Sequence, residues 1–119
     1  MINIKLGVIP TRRDIFSKEE ALKYKELILQ KLATMNITFV DIEDANDEGL
    51  LFDDNDVDKV VDKMIKEKVD ALFFPHCNFG TEYLVAQVAK KMNLPILIWG
   101  PRDESPLGDG SRLRDSQCG

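Results

Sequence analysis

Four short apolar runs alternate with three segments of helical periodicity along this 119-residue chain. That alternation restricts the fold more than any other feature. The runs are Asn3–Ile9, closed by Pro10, then Ile37–Ile42, Val69–Pro75 and Ile96–Trp99. Each has a strand's length and is rich in β-branched or aromatic residues. Between the first two, Ser17-Lys-Glu-Glu20 has the form of a capping box, in which each side chain bonds the other's free backbone N–H. The helix it opens carries Ala21, Leu22, Ile28, Leu29, Leu32 and Met35 on one broad side and stops near Asn36. Val57, Val60, Val61, Met64 and Ile65 mark a second amphipathic helix, closed by the basic Lys66-Glu67-Lys68. Leu84, Val85, Val88, Ala89 and Met92 mark a third. Strands separated by helices imply a parallel sheet with helices on both faces. Right-handed crossovers then predict an α/β, three-layer, doubly wound sheet of flavodoxin-like layout, with four strands in the order 2-1-3-4. The last strand is expected to be buried.

Composition narrows the function classes. A net charge of −5 at pH 7 argues against a nucleic-acid binder, which would present a basic stripe. No apolar run approaches the roughly 20 residues that span a bilayer. The first ten residues hold no charged leader before an apolar segment, so no signal peptide and a cytoplasmic location are expected. Cys77 and Cys118 lack CxxC spacing and read as two free thiols. The acidic stretch Glu43–Asp56 reads as a solvated loop whose last aspartates cap the second helix. Its spacing does not match a calcium loop.

In a sheet of this topology the strand carboxyl ends share one rim, where ligands bind. Three loops converge there: Pro10–Phe16, His76–Thr81 and Gly100–Gly119. The last is polar and arginine-rich, with almost nothing to bury. Candidate recognition residues are Arg12, Arg13, Asn78, Phe79, Trp99, Arg102, Arg112, Arg114 and Gln117. Catalysis within this chain is not expected. His76 and Cys77 are adjacent, so their side chains diverge, and a buried Cys acts as a small hydrophobe. His76, Cys77 and Cys118 cannot supply a four-ligand zinc site. There is no Walker loop and no dinucleotide fingerprint. Recognition of a polyhydroxylated or anionic small molecule remains. Arginine and glutamine offer several donors, and Phe79 or Trp99 can stack on the apolar face of a sugar.

Gly7-Val-Ile-Pro-Thr-Arg-Arg13, Cys77-Asn-Phe-Gly-Thr81 and, most distinctively, Trp99-Gly-Pro-Arg through Asp115-Ser-Gln-Cys-Gly119 resemble the N-terminal domain of the L-fucose and L-arabinose isomerase superfamily. The resemblance covers essentially the whole chain. It implies a parent that is a Mn²⁺-dependent aldose–ketose isomerase, with metal ligands and acid–base carboxylates in later domains. No cofactor and no metal site are then expected in this chain. By position Arg12 resembles a substrate-side polar residue, Phe79 an aromatic pocket wall, and Gln117 a glutamine reaching toward the sugar. In the arabinose enzymes a His follows that glutamine; here Cys118 and Gly119 do. The resemblance also implies a further helix and strand, so the domain is expected to be incomplete at its C-terminus. Expected partners are a sugar, the protein's own C-terminal domains and neighbouring subunits, with the open fourth strand favouring a homo-oligomer. The alternative is an autonomous flavodoxin-like module that binds a sugar or sugar phosphate.

Overall fold

The computed structural model describes residues 3–118. Its elements run β1 (Lys5–Val8), α1 (Lys18–Thr34), β2 (Thr38–Val40), a 3₁₀ turn (Asp54–Asp56), α2 (Val57–Lys66), β3 (Ala71–Pro75), α3 (Glu82–Met92), β4 (Ile96–Trp99) and a second 3₁₀ turn (Ser116–Cys118). The four strands are parallel and ordered β2-β1-β3-β4, the predicted arrangement. The first three strands are shorter than the apolar runs that signal them. Parallel pairing ends where the neighbouring strand ends, so the flanking residues continue as loops.

Register decides which side chains share a face. Gly7 pairs with Leu72 and Val8 with Phe73. Leu72 and Phe74 point to one side and join Val57, Val60, Val61 and Met64 of α2 and Leu84, Val85 and Val88 of α3 in one core. Val8 and Phe73 point to the other side, against Ala21, Ile28 and Leu32 of α1. One face therefore carries two helices and the other carries one. Gly7 is needed for the two-helix face: a Cβ there would lie 2.6 Å from Met64 Sδ and 3.1 Å from Leu72 Cδ2.

The helix starts differ in detail from the sequence reading. Ser17 Oγ accepts from the Glu20 backbone N–H (3.1 Å), which is half of the capping box. The other half does not form, because the Ser17 N–H donates to the Leu113 carbonyl and ties α1 to the terminal loop. Asp56 precedes α2 without a side-chain cap bond, while Asp53 caps the 3₁₀ turn through Asn55 N–H. Ile65 and Met35 are exposed at helix ends. Lys25 falls on the apolar side of α1, four residues after Ala21, and is buried. It survives there because its Nζ donates to Glu43 Oε2 (2.9 Å) and the Glu48 carbonyl (2.6 Å).

The expectation of a buried β4 is wrong. Ile96, Leu97, Ile98 and Trp99 are 45%, 62%, 51% and 45% exposed. β3 covers one edge; among the described residues no strand pairs with the other, and α1 lies too far over to cover Leu97 and Trp99. The result is an apolar groove of about 550 Å³ between α1 and β4, lined by Tyr24, Ile28, Met35, Phe73, Leu97 and Trp99. An apolar composition signalled a strand correctly but could not say how many layers cover it.

Candidate functional site: the carboxyl rim of the sheet

The backbone brings four loops to the carboxyl end of the sheet. Thr11 continues β1 and bridges both Leu51 and His76. Leu51 belongs to the acidic loop after β2. That loop is not simply solvated: Ile42, Ala45, Leu50 and Leu51 are buried, and the Leu51 N–H donates to the Pro10 carbonyl (2.8 Å). The terminal loop joins through the Ser17–Leu113 bond and through His76 N–H on the Trp99 carbonyl (2.8 Å).

Asn78 holds the loops after β1 and β3 together. It is fully buried. Its Oδ1 accepts from the backbone N–H of Arg13 (2.7 Å) and of Gly80 (3.3 Å). Its Nδ2 donates to the carbonyls of Arg13 (3.2 Å) and Ser17 (3.3 Å). Thr81 Oγ1 adds a bond to the Arg12 carbonyl (2.6 Å). These bonds use both ends of the Asn78 amide, so the side chain anchors the loops instead of facing a ligand.

The clasp sets the side chains above it. Phe16 and Phe79 stack with centroids 5.1 Å apart and rings within 5° of parallel. The Arg13 guanidinium sits 5.0 Å from the Phe79 centroid and bonds Glu82 at 2.6 Å. Arg12 Nε and Nη2 grip Glu48 at 2.6 and 2.9 Å, and the guanidinium covers the Phe52 ring at 3.8 Å. Side-chain exposures of 8% and 13% mark Arg12–Glu48 as a buried bidentate pair. The hydrogen bonds from Arg12, more than its charge, hold the Glu48 carboxyl below the usual carboxylate range. Glu82 is held low by its own backbone N–H at the start of α3, then by Arg13.

Trp99 and Gln117 lie elsewhere. The Trp99 ring stacks on Phe73 (6.2 Å) in the side groove, on the α1 face. Gln117 is exposed on the last 3₁₀ turn, with its N–H 3.4 Å from Asp103 Oδ2. Gly100 permits that turn: a Cβ would lie 2.6 Å from the Ser116 carbonyl oxygen. Arg114 is fully buried beneath the loop. It bonds Glu104 (3.0 Å), Ser116 Oγ (3.1 Å) and the Arg102 carbonyl (2.8 Å), and stacks on Tyr24 at 3.6 Å. The structure thus brings Arg12, Arg13, Asn78 and Phe79 to one rim, sets Trp99 and Gln117 apart, and adds Phe16, Glu48 and Phe52. Topology alone could have found the last two, since the loop after β2 must end on the same rim.

A family model for the fucose/sulfoquinovose isomerase N-terminal domain matches residues 7–119. The chain belongs to that family. Neither a curated protein nor a solved structure gives a match. Among the described residues of this isomerase-family domain, no three His, Cys, Asp or Glu side chains are grouped to hold an ion. Cys77 is buried, and burial pushes its thiol up to about 12, so it is a neutral packing group at neutral pH. The side chain of Cys118 lies outside the described residues. No described helix is long and apolar enough to cross a membrane.

His76 is buried beneath Gly80, where a Cβ would lie 2.8 Å from the imidazole ring. Its Nε2 and the Thr11 hydroxyl, on bridged residues, are buried without hydrogen-bond partners. Burial lowers the imidazole from its ordinary 6.5, and Glu82 opposes this. Folding therefore favours the neutral ring. The unfolded chain takes up the proton first, so the His76 contribution is complete above pH 6.5 and fades as pH falls through the lowered folded value. Urea unfolding from pH 7 to 5.5 is expected to show falling stability, with a shallower slope in His76→Gln. A wild-type stability that is flat across this range would contradict the burial of a neutral imidazole.

Proposed function

We propose that this chain is the substrate-recognition domain of a metal-dependent aldose–ketose isomerase. It holds the sugar at the carboxyl rim, and the metal and acid–base groups are supplied by other domains. The observation that carries this reading is the rim cluster itself. A stacked Phe16–Phe79 pair offers an apolar platform beside two arginines, on loops clasped by Asn78. Sugars present an apolar C–H face and a belt of hydroxyls, and this pairing of ring and donors suits both. The isomerase-family match supports the substrate class. Arg12 and Phe79 are the contacts expected at the ligand, Asn78 anchors, and Gln117 and Trp99 lie at the margins.

The second part of the proposal concerns β4. Its open edge and four exposed apolar residues form the contact with a neighbouring subunit, making the protein a homo-oligomer. The autonomous-module alternative requires the same rim to bind a sugar or sugar phosphate without help from other domains.

Two measurements test these statements. Titration of the ¹⁵N-labelled chain with L-fucose, 6-deoxy-D-glucose and sulfoquinovose should shift the amides of Arg13, Phe79 and Gly80 for at least one sugar. Phe79→Ala should weaken that binding about three- to tenfold, the worth of one stacking contact. No shift with any of the three would sink the sugar-site reading. Light scattering at increasing concentration should show dimers or larger species, and Leu97→Lys should reduce them. A monomer at all concentrations would contradict the role given to β4.

A further inference from the structure

Two polar side chains lie shut inside the protein beneath the rim. Thr11 is fully buried and His76 is 4% exposed. Among the described residues, neither the Thr11 hydroxyl nor His76 Nε2 finds a hydrogen-bond partner. The two residues are neighbours. Thr11 sits between Leu51 and His76 in parallel bridges; its N–H donates to the Pro75 carbonyl (3.0 Å) and its carbonyl accepts from the Cys77 N–H (2.9 Å). Side chains of bridged residues share one face of a sheet. Leu51 belongs to the two-helix core, and so do Ile9 and Phe74, each two residues before one of the pair. Both polar groups therefore point to that face, with Gly80 lying against the imidazole.

From this geometry we infer that Thr11 and His76 hold a buried water molecule, which joins the extension of β1 to that of β3. A buried polar atom without a partner is costly, and here two lie side by side, so one occupant can serve both. The site selects that occupant. Burial this complete admits no group from an outside ligand. An anion would call for a charged imidazole, and burial opposes that charge. A cation would call for carboxylates or thiolates, and among the described residues no such group is assembled. Water is small and neutral, and it donates to Nε2 or accepts from it as the tautomer requires. A buried water makes about two to four bonds, and this pair supplies two. Its reach also fits: neighbouring strands run roughly 5 Å apart, and a water bonding two groups at about 2.8 Å each spans a little less. The water lies under the rim loops, so its presence does not depend on which ligand they bind.

Relaxation dispersion of ¹⁷O water detects long-lived internal molecules in the whole chain. Thr11→Val keeps the shape and removes the hydroxyl, so it should lose the amplitude of one such water, while Thr11→Ser should keep it. The urea midpoint of Thr11→Val should fall, because Nε2 is left bare. In a dry site the same change would replace an unpaired hydroxyl by a methyl and raise the midpoint. The wild type supplies a reading that needs no variant: NOEs from water to the Thr11 methyl and to the carbon-bound ring protons of His76. Absence of those NOEs would overturn the inference. So would an unchanged ¹⁷O amplitude, or a midpoint that fails to fall, in Thr11→Val.

Discussion

A single buried amide organises the functional end of this domain. Asn78 follows β3, and its side chain reaches across to the loop after β1 and to the start of α1. The two loops touch at the Thr11–His76 bridge and the Thr81–Arg12 bond, and beyond these Asn78 is what joins them. Without Asn78, the Arg13 N–H would lose its acceptor, whereas the carbonyls of Arg13 and Ser17 would keep the backbone N–H groups of Phe16 and Ala21. An N–H left without a partner costs about 1–3 kcal/mol, so the clasp is preferred over a looser arrangement. Everything above it inherits that rigidity. Phe79 is the next residue, Phe16 precedes Ser17, and their stack forms where the clasp brings the two loops together.

Three arginines near the rim are paired with carboxylates. The arginine-rich terminal loop read as a ligand-binding loop in the sequence, and within it Arg114 lies fully buried against Asp103, Glu104 and Tyr24. It fastens the loop to α1, and its bonds hold the Glu104 carboxyl low. Arg12 and Arg13 each find a carboxylate in a different loop or helix. Arg12, Arg13 and Arg114 stitch segments together, while Arg102 and Arg112 stay exposed on the terminal loop.

Much of this architecture was legible in the sequence, for specific reasons. Val57, Val60, Val61 and Met64 announce α2 by period, and the alternation of strands with helices leaves few topologies. The rim position of Arg12, Asn78 and Phe79 followed from strand polarity. Other features depend on tertiary partners that no local pattern encodes. β4 is as apolar as β3, but its burial depends on neighbours, and it stands largely exposed. Lys25 sits in an apolar stripe because Glu43 and the Glu48 carbonyl wait opposite it. Glu48 was hidden among the other acids of its loop; only the bridge from Leu51 to Thr11 brings it beside Arg12.

If the Asn78 clasp governs the rim, hydrogen exchange at one backbone amide reads it directly. The Arg13 N–H has Asn78 Oδ1 as its acceptor, whereas the Ile9 N–H donates to the Phe73 carbonyl inside the sheet. In the wild type both should exchange slowly. In Asn78→Ala, Arg13 should lose its protection while Ile9 keeps most of its own, showing a rim released from an intact sheet. Equal protection of Arg13 in the two proteins would contradict the account.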